Sequence, residues 1–232
     1  MAKGITSKID EIATNSNTTN ERIKRYYGRE ATVINPGIDY KDFSNKDYED
    51  YCLCPSRLVV NKRQDYAIMA FRSFVKKTKD QKHKLIIAGT LSNDPEHQKY
   101  FEKLKNMAKG LNVVFKTNVN DAQLKDLYSR SKGVLFSAIN EDYGFIPLES
   151  MASSKPIISV NEGGPRETVI NNKTGFLVNS PSEMAEKMVL LASNPQLAES
   201  MGKQGRRLVE RRYSWDAFFE RLDPLLQKAA KK

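Results

Sequence analysis

The chain has 232 residues and a formal net charge of +10, with 39% hydrophobic and 28% charged residues, 12 Gly and 9 Pro. That balance fits one globular domain plus extras, with enough apolar residues for a single good core. No run approaches the roughly 18 apolar residues of a membrane-spanning helix. The opening MAKGITSKIDEIATNSN lacks the apolar centre of a secretory signal, so the expected setting is soluble and cytoplasmic.

The basic surplus suits nucleic acid, an anionic membrane surface or a small phosphorylated ligand. A lysine-rich solvated surface explains it equally well. Positive charge is spread along the chain, and its densest patches are Lys76 to Lys79 and the set Arg206, Arg207, Arg211 and Arg212. No nucleic-acid-binding motif accompanies them, so no nucleic-acid partner is expected.

In chain order, the opening segment as far as Glu30 reads as helical and polar, and TVINPGID (32–39) as a strand entering a turn. From Tyr51 the apolar periodicity alternates. YCLCPS is a strand, followed by the loop RLVVNKRQD. Ala67, Ala70, Phe71, Phe74 and Val75 then form one face of an amphipathic helix. KLIIAGT (84–90) is a strand, Pro95 to Ala108 a helix, and NVVFKT (112–117) a strand. Asp121 is the expected N-cap of a helix through Tyr128. GVLFSA (133–138) is a strand, and Pro147 starts a short helix at a first-turn position that tolerates proline. PIISV (156–160) and GFLV (175–178) are strands. Three helical stretches follow Pro181, ending in the charged tail Gln227–Lys232. Short strands buried on both sides and alternating with helices predict a doubly wound α/β domain with a parallel sheet.

Cys52 and Cys54 share one face of a strand, where a disulfide is awkward, and read as core. His83 and His97 lie among polar residues and are expected at the surface. Ligands of such sheets bind at the carboxyl ends of the strands. That directs attention to Arg57 to Arg63, Gly89-Thr90, Thr117 to Val119, Ala138 to Phe145, and Glu162 to Arg166. Arg57 and Lys62 can both reach a phosphate, one as a bidentate fork and one as a point charge. Gly144 lets backbone approach a ligand, and the following helix N-terminus suits an anion such as a diphosphate. Glu149, placed in the first turn of that helix, either compensates its dipole or accepts hydrogen bonds from a diol such as ribose. Glu141 on the preceding loop suits sugar hydroxyls. Two carboxylates flanking a phosphate site match a nucleotide sugar, with its ribose, diphosphate and sugar.

The frame Glu141, Gly144, Phe145, Glu149, followed by MASSKPIISVNEGG, resembles the signature of glycosyltransferase family 4, retaining enzymes of the two-domain GT-B type. SRLVVNK, KLIIAG and PGID (36–39) resemble further elements of that family, and the likeness spans most of positions 5–216. The resemblance implies the C-terminal half of a GT-B fold, a Rossmann-like donor domain. It implies that Glu149 holds the ribose and Glu141 the donor sugar, while Arg57 and Lys62 neutralise the leaving diphosphate as catalytic groups. The amides of Gly144, Phe145 and Ile146 would complete the cradle, and the strand-end residues Gly89, Asn118 and Val119 would approach the donor. No Asp-x-Asp pair occurs, so no metal and no cofactor are expected.

The NEDYGFIPLESMA and VNEGGPRET segments resemble mannosyltransferases of lipid-linked oligosaccharide assembly. That implies GDP-mannose as donor, with a UDP-sugar open, and work at a membrane surface on a lipid-linked or glycan acceptor. Residues 1–35 then read as the end of an N-terminal acceptor domain that is itself missing. Residues 36–213 are the nucleotide-sugar domain, and residues 214–232 a helix that would pack on that missing partner, leaving its apolar face exposed. Where the family usually has Gly after its small-residue helix, this chain has Ser153-Ser154-Lys155. The competing readings are a non-catalytic nucleotide-binding module and a GT-B-type epimerase, the latter disfavoured by the placement of His83 and His97.

Overall fold

The computed structural model describes residues 9–231; residues 1–8 of the polar opening segment and Lys232 of the tail lie outside them. A small parallel pair, β1 (Ala13–Thr14) and β2 (Thr32–Val33), brackets helix α1 (Asn17–Tyr27). The main sheet contains β3 (Tyr51–Pro55), β4 (Lys84–Gly89), β5 (Val113–Thr117), β6 (Gly133–Phe136), β7 (Ile157–Val160) and β8 (Gly175–Val178). All six run parallel in the order β5-β4-β3-β6-β7-β8. Connecting and flanking helices are α2 (Gln64–Thr78), α3 (Pro95–Ala108), α4 (Asp121–Arg130), α5 (Phe145–Ala152), α6 (Pro165–Thr168), α7 (Pro181–Ser193), α8 (Pro195–Arg212) and α9 (Trp215–Ala229).

The central strands β3, β6 and β7 are buried on both faces, which explains their unbroken apolar runs, whereas the edge strand β5 is only partly covered. Side chains alternate between the two faces of a strand. Along β3 this sends Cys52 and Cys54 to the layer built by α2, α3 and α7, and Tyr51 and Leu53 to the layer of α4 and α5. Leu53 and Phe71 are fully buried, and each such large apolar side chain contributes about 1.5–3 kcal/mol. Burial pushes both cysteine thiols up to about 12, so they are inert core groups. Helix α8 contributes to both layers, Met201 to the first and Val209 to the second.

Two of these local expectations need correction. His83 is buried rather than at the surface: its ring sits 3.7 Å from Cys52 Sγ and packs on Phe74, and burial lowers its pKa. The cap of α4 is Asn120, whose side chain accepts from Gln123 N while Gln123 accepts from Asn120 N, a reciprocal capping box. Helix α9 runs on to Ala229 and so includes the start of the charged tail. The α8–α9 junction and α9 pack back on the 35–38 segment: Ile38 N donates to Tyr213 O, at the end of α8, at 2.9 Å, and Arg221 of α9 donates to Asn35 O at 3.0 Å. Trp215, Phe219 and Leu226 of α9 are exposed.

Strand order reverses at β3, whose neighbours are β4 on one side and β6 on the other. A parallel sheet opens a crevice above the carboxyl ends at such a point.

Candidate functional site

The loops leaving β3 and β6 meet above that crevice and are stitched together by backbone. Ser137 Oγ lies 3.0 Å from Lys62 O and 2.8 Å from Arg63 O, Arg63 Nε donates to Ser137 O at 2.7 Å, and Ile139 N donates to Asn61 O at 3.0 Å. This stitching brings Lys62 Nζ to 2.5 Å from Glu141 Oε2, with the two side chains 14% and 24% exposed. A pair so placed is screened by salt and water less than an exposed one. Arg57 differs. Its guanidinium is exposed and has no side-chain partner among the described residues, while buried Gln64 fixes its backbone by donating to Arg57 O at 2.8 Å. A free cation whose backbone is held rigid is suited to receiving an anion.

Gly89 ends β4, and a Cβ there would come within 1.9 Å of Ser56 O, so only glycine lets the β3 and β4 exits lie side by side. Asn118 follows β5 in the left-handed region, φ 56°, with its N–H on Gly89 O at 2.9 Å. Its side-chain oxygen accepts from Leu91 N at 3.3 Å and so braces the neighbouring loop.

Helix α5 begins directly after Gly144, which has a φ of 85° and packs against Pro165. That left-handed conformation favours glycine. Among the described residues no side chain caps this end, which leaves the first-turn amides at Phe145 and Ile146 for another acceptor. Because the helix starts at Phe145 and not at Pro147, Glu149 is its fifth residue and lies in the second turn. Dipole compensation at the first turn therefore does not account for it. Glu149 is half-buried, and its Oε2 accepts from Tyr128 Oη at 2.6 Å. Burial pushes its carboxyl above the ordinary range, more than the Tyr128 hydrogen bond lowers it. Burial and the adjacent Glu149 in turn keep the Tyr128 hydroxyl protonated and donating.

Arg57, Gly89, Val119, Ile146, Tyr128 and Glu149 line one cleft of about 260 Å³. Lys62, Glu141, Gly144 and Phe145 form an adjoining group, with Gly144 against the Glu141 side chain and Phe145 exposed. Asn118 belongs to neither lining. A larger hollow of about 610 Å³ lies away from the strand ends, along α8, and is lined by Lys173, Arg207, Arg211 and Arg212. It lacks the convergence of loop ends, uncapped amides and carboxylates found at the smaller cleft. Sequence reading missed Tyr128, Ser137 and Gln64. Ser137, the first residue beyond a strand end, carried the one usable signal.

Residues 38–208 match the glycosyl transferases group 1 family. The chain belongs to that family. This group 1 chain is 27% identical, over 96% of its length, to the alpha-1,3/1,6-mannosyltransferase ALG2 of Dictyostelium discoideum, of which it covers 62%. It is 39% identical, over 49% of its length, to the Rhizomucor pusillus ALG2, covering 25% of that protein. It thus spans less than two thirds of the curated relatives it matches. Among solved structures, Anabaena Alr3699/HepE in complex with UDP and glucose superposes with a TM-score of 0.85 at 17% identity over 98% of this chain and 66% of that one. Sucrose-phosphate synthase from Thermosynechococcus elongatus does so with 0.83 at 20% identity, covering 98% and 60%. These likenesses establish the GT-B, Rossmann-like fold of the group 1 chain.

Proposed function

We propose that this chain is the donor-binding half of a retaining glycosyltransferase that moves mannose from GDP-mannose to a lipid-linked or glycan acceptor, without a metal, at the cytoplasmic face of a membrane. The observation that carries the reading is the uncapped start of α5 between two carboxylates, Glu141 held by Lys62 and Glu149 held by Tyr128. In this reading Glu149 accepts from the ribose hydroxyls. The diphosphate lies across the amides at Phe145 and Ile146, facing Arg57 and Lys62, and Glu141 meets the sugar. Pockets for whole ligands typically enclose roughly 300–1000 Å³. The cleft of about 260 Å³ is smaller than that, so it takes the nucleoside end while the rest lies along the Lys62–Glu141 opening.

As the glycosidic bond to the diphosphate breaks, negative charge grows on the leaving phosphate oxygen. Fixed donors placed there stabilise it, and losing one such donor typically costs about 10²–10³ in rate. The mannosyl assignment draws on the relatives named alpha-1,3/1,6-mannosyltransferases. A UDP-sugar is the second reading, supported by the Anabaena neighbour's complex with UDP-glucose. Titration calorimetry with GDP, GDP-mannose, UDP and UDP-glucose, each with and without EDTA, separates them. EDTA-insensitive binding of the guanine pair supports the first, and tight binding of the uracil pair alone overturns the mannose assignment. Binding to none of the four refutes both.

A further inference from the structure

The loop that carries Glu141 is gripped from two sides. On one side lies the Gly163-Gly164 turn, where Gly164 N donates to Glu141 O at 2.9 Å. A Cβ on Gly163 would lie 2.4 Å from Glu141 O, and one on Gly164 would lie 2.3 Å from Tyr143 O. On the other side lies the N-terminus of α1, which precedes the main sheet in sequence. Ser16, fully buried, caps α1 by accepting from Thr19 N at 3.0 Å, and its hydroxyl reaches Asp142 O at 2.5 Å. Arg22, further along α1, pairs with the Asp142 carboxylate and reaches Asn140 O at 3.4 Å.

Glu167 closes the circuit. It follows the double-glycine turn, and its carboxylate accepts from Asn17 N and Thr18 N, each at 2.8 Å, and from the Asn17 amide and Thr18 hydroxyl, each at 2.9 Å. A carboxylate capping a helix start with four hydrogen bonds is a strong link, since bonds to charged groups are the strong class. The side chains of the Arg22–Asp142 pair are 40% and 57% exposed. Water screens such a pair, so it adds little.

We propose that Ser16 and Glu167 are positioning residues: through α1 and the double-glycine turn they hold the 140–144 loop, and so set the affinity for the diphosphate and sugar end of the donor without touching it. This rests on the donor-site reading above. A displacement of α1 is thereby transmitted to Glu141 and Gly144, so chain preceding the main sheet governs a site built at its strand ends.

The test uses the whole chain with Ser16→Ala, Glu167→Ala and Arg22→Ala. Two quantities are measured: amide hydrogen exchange of residues 140–145 in the free protein, and binding of guanosine and GDP, or of uridine and UDP if the parent prefers them. Expected are faster exchange confined to that loop and to α1, a loss of about five- to thirtyfold in diphosphate affinity, and nucleoside affinity unchanged, for Ser16→Ala and Glu167→Ala. Arg22→Ala should change diphosphate affinity by less than about threefold. Equal losses for nucleoside and diphosphate, or unchanged loop exchange, overturn the proposal. A parent that binds no nucleotide refutes the donor reading and the affinity claim with it. The exchange pattern then still decides whether α1 holds the loop.

Discussion

Replacing Glu149 by glutamine separates what this residue does for the fold from what it does for the ligand. In the free protein the carboxylate is half-buried and burial raises its pKa above 4.5. The folded state therefore binds a proton more readily than the unfolded chain. The associated stability is complete below about pH 4.5 and is lost as pH rises through the folded value. Glu149→Gln keeps the shape and an oxygen for Tyr128, and it removes that neutral-pH cost. Its melting temperature should exceed the parent's at about pH 7, with the gap closing as pH falls to about 4.5. Towards the donor the change acts the other way. Bonds from ribose hydroxyls to a carboxylate contribute about 1.5–3 kcal/mol, and to a neutral amide about 0.5–1.5 kcal/mol. At about 1–1.5 kcal/mol per bond, one or two ribose bonds lose about 1–3 kcal/mol, which weakens nucleoside diphosphate binding roughly 5- to 150-fold. Calorimetry and thermal unfolding on one preparation read both effects. A variant less stable than the parent at neutral pH, or one that binds GDP and UDP as the parent does, would refute the reasoning.

Lys155 is fully buried, with Nζ 3.1 Å from Lys46 O and 3.7 Å over the Tyr48 ring, and burial pulls its amine down to about 8. Between that value and the ordinary 10.5 the unfolded chain binds more protons than the folded one. The parent therefore gains stability as pH rises through this window, by at most about 3 kcal/mol. Lys155→Met should flatten that rise in denaturant titrations across the same window. Gly202 lies inside α8, where helix propensity alone gives Gly202→Ala a gain of about 1 kcal/mol. The new Cβ would meet Ser154 O at 1.9 Å, so the expected result is a net loss of stability in urea unfolding, and any gain contradicts the packing. Ser154 itself holds φ 56°, a left-handed conformation that costs a non-glycine residue about 1–2 kcal/mol. After glycine's own entropy cost, Ser154→Gly should stabilise by about 0.5 kcal/mol, read in the same titration.

The sheet was legible because its central strands are buried on both faces and so read as unbroken apolar runs, as in GVLF and the LIIA of β4. Arg57, Glu149, Gly89 and Val119 could be placed together because parallel strands deliver their following residues to one edge. What the sequence hid was local choice and distant pairing. Gly144 starts α5 ahead of the proline that looked like its beginning, which moved Glu149 by a turn. Asn120 outcompeted Asp121 as a cap because Gln123 could reciprocate. His83 reads as polar from its neighbours in sequence, yet its ring fills a gap beside Phe74 and Cys52. The Tyr128–Glu149 and Lys62–Glu141 contacts join residues 21 and 79 apart, and no periodicity announces such pairs.

The ladder between β3 and β6 is the shortest in the main sheet, with only Cys52 opposite Gly133 and Leu53 opposite Val134, whereas β3 is matched to β4 along its whole length. Mechanically it is the seam of the domain. Above it, the ties from Ser137, Ile139, Arg63 and Lys62 act as staples between the two wings. A donor whose diphosphate draws Lys62 away from Glu141 removes one staple and lays another across the same line, from Arg57 to the start of α5. Occupancy of the proposed site should then be felt as stiffness: amide exchange in β6 should slow when the nucleotide is bound, although that site lies above the strand rather than against it.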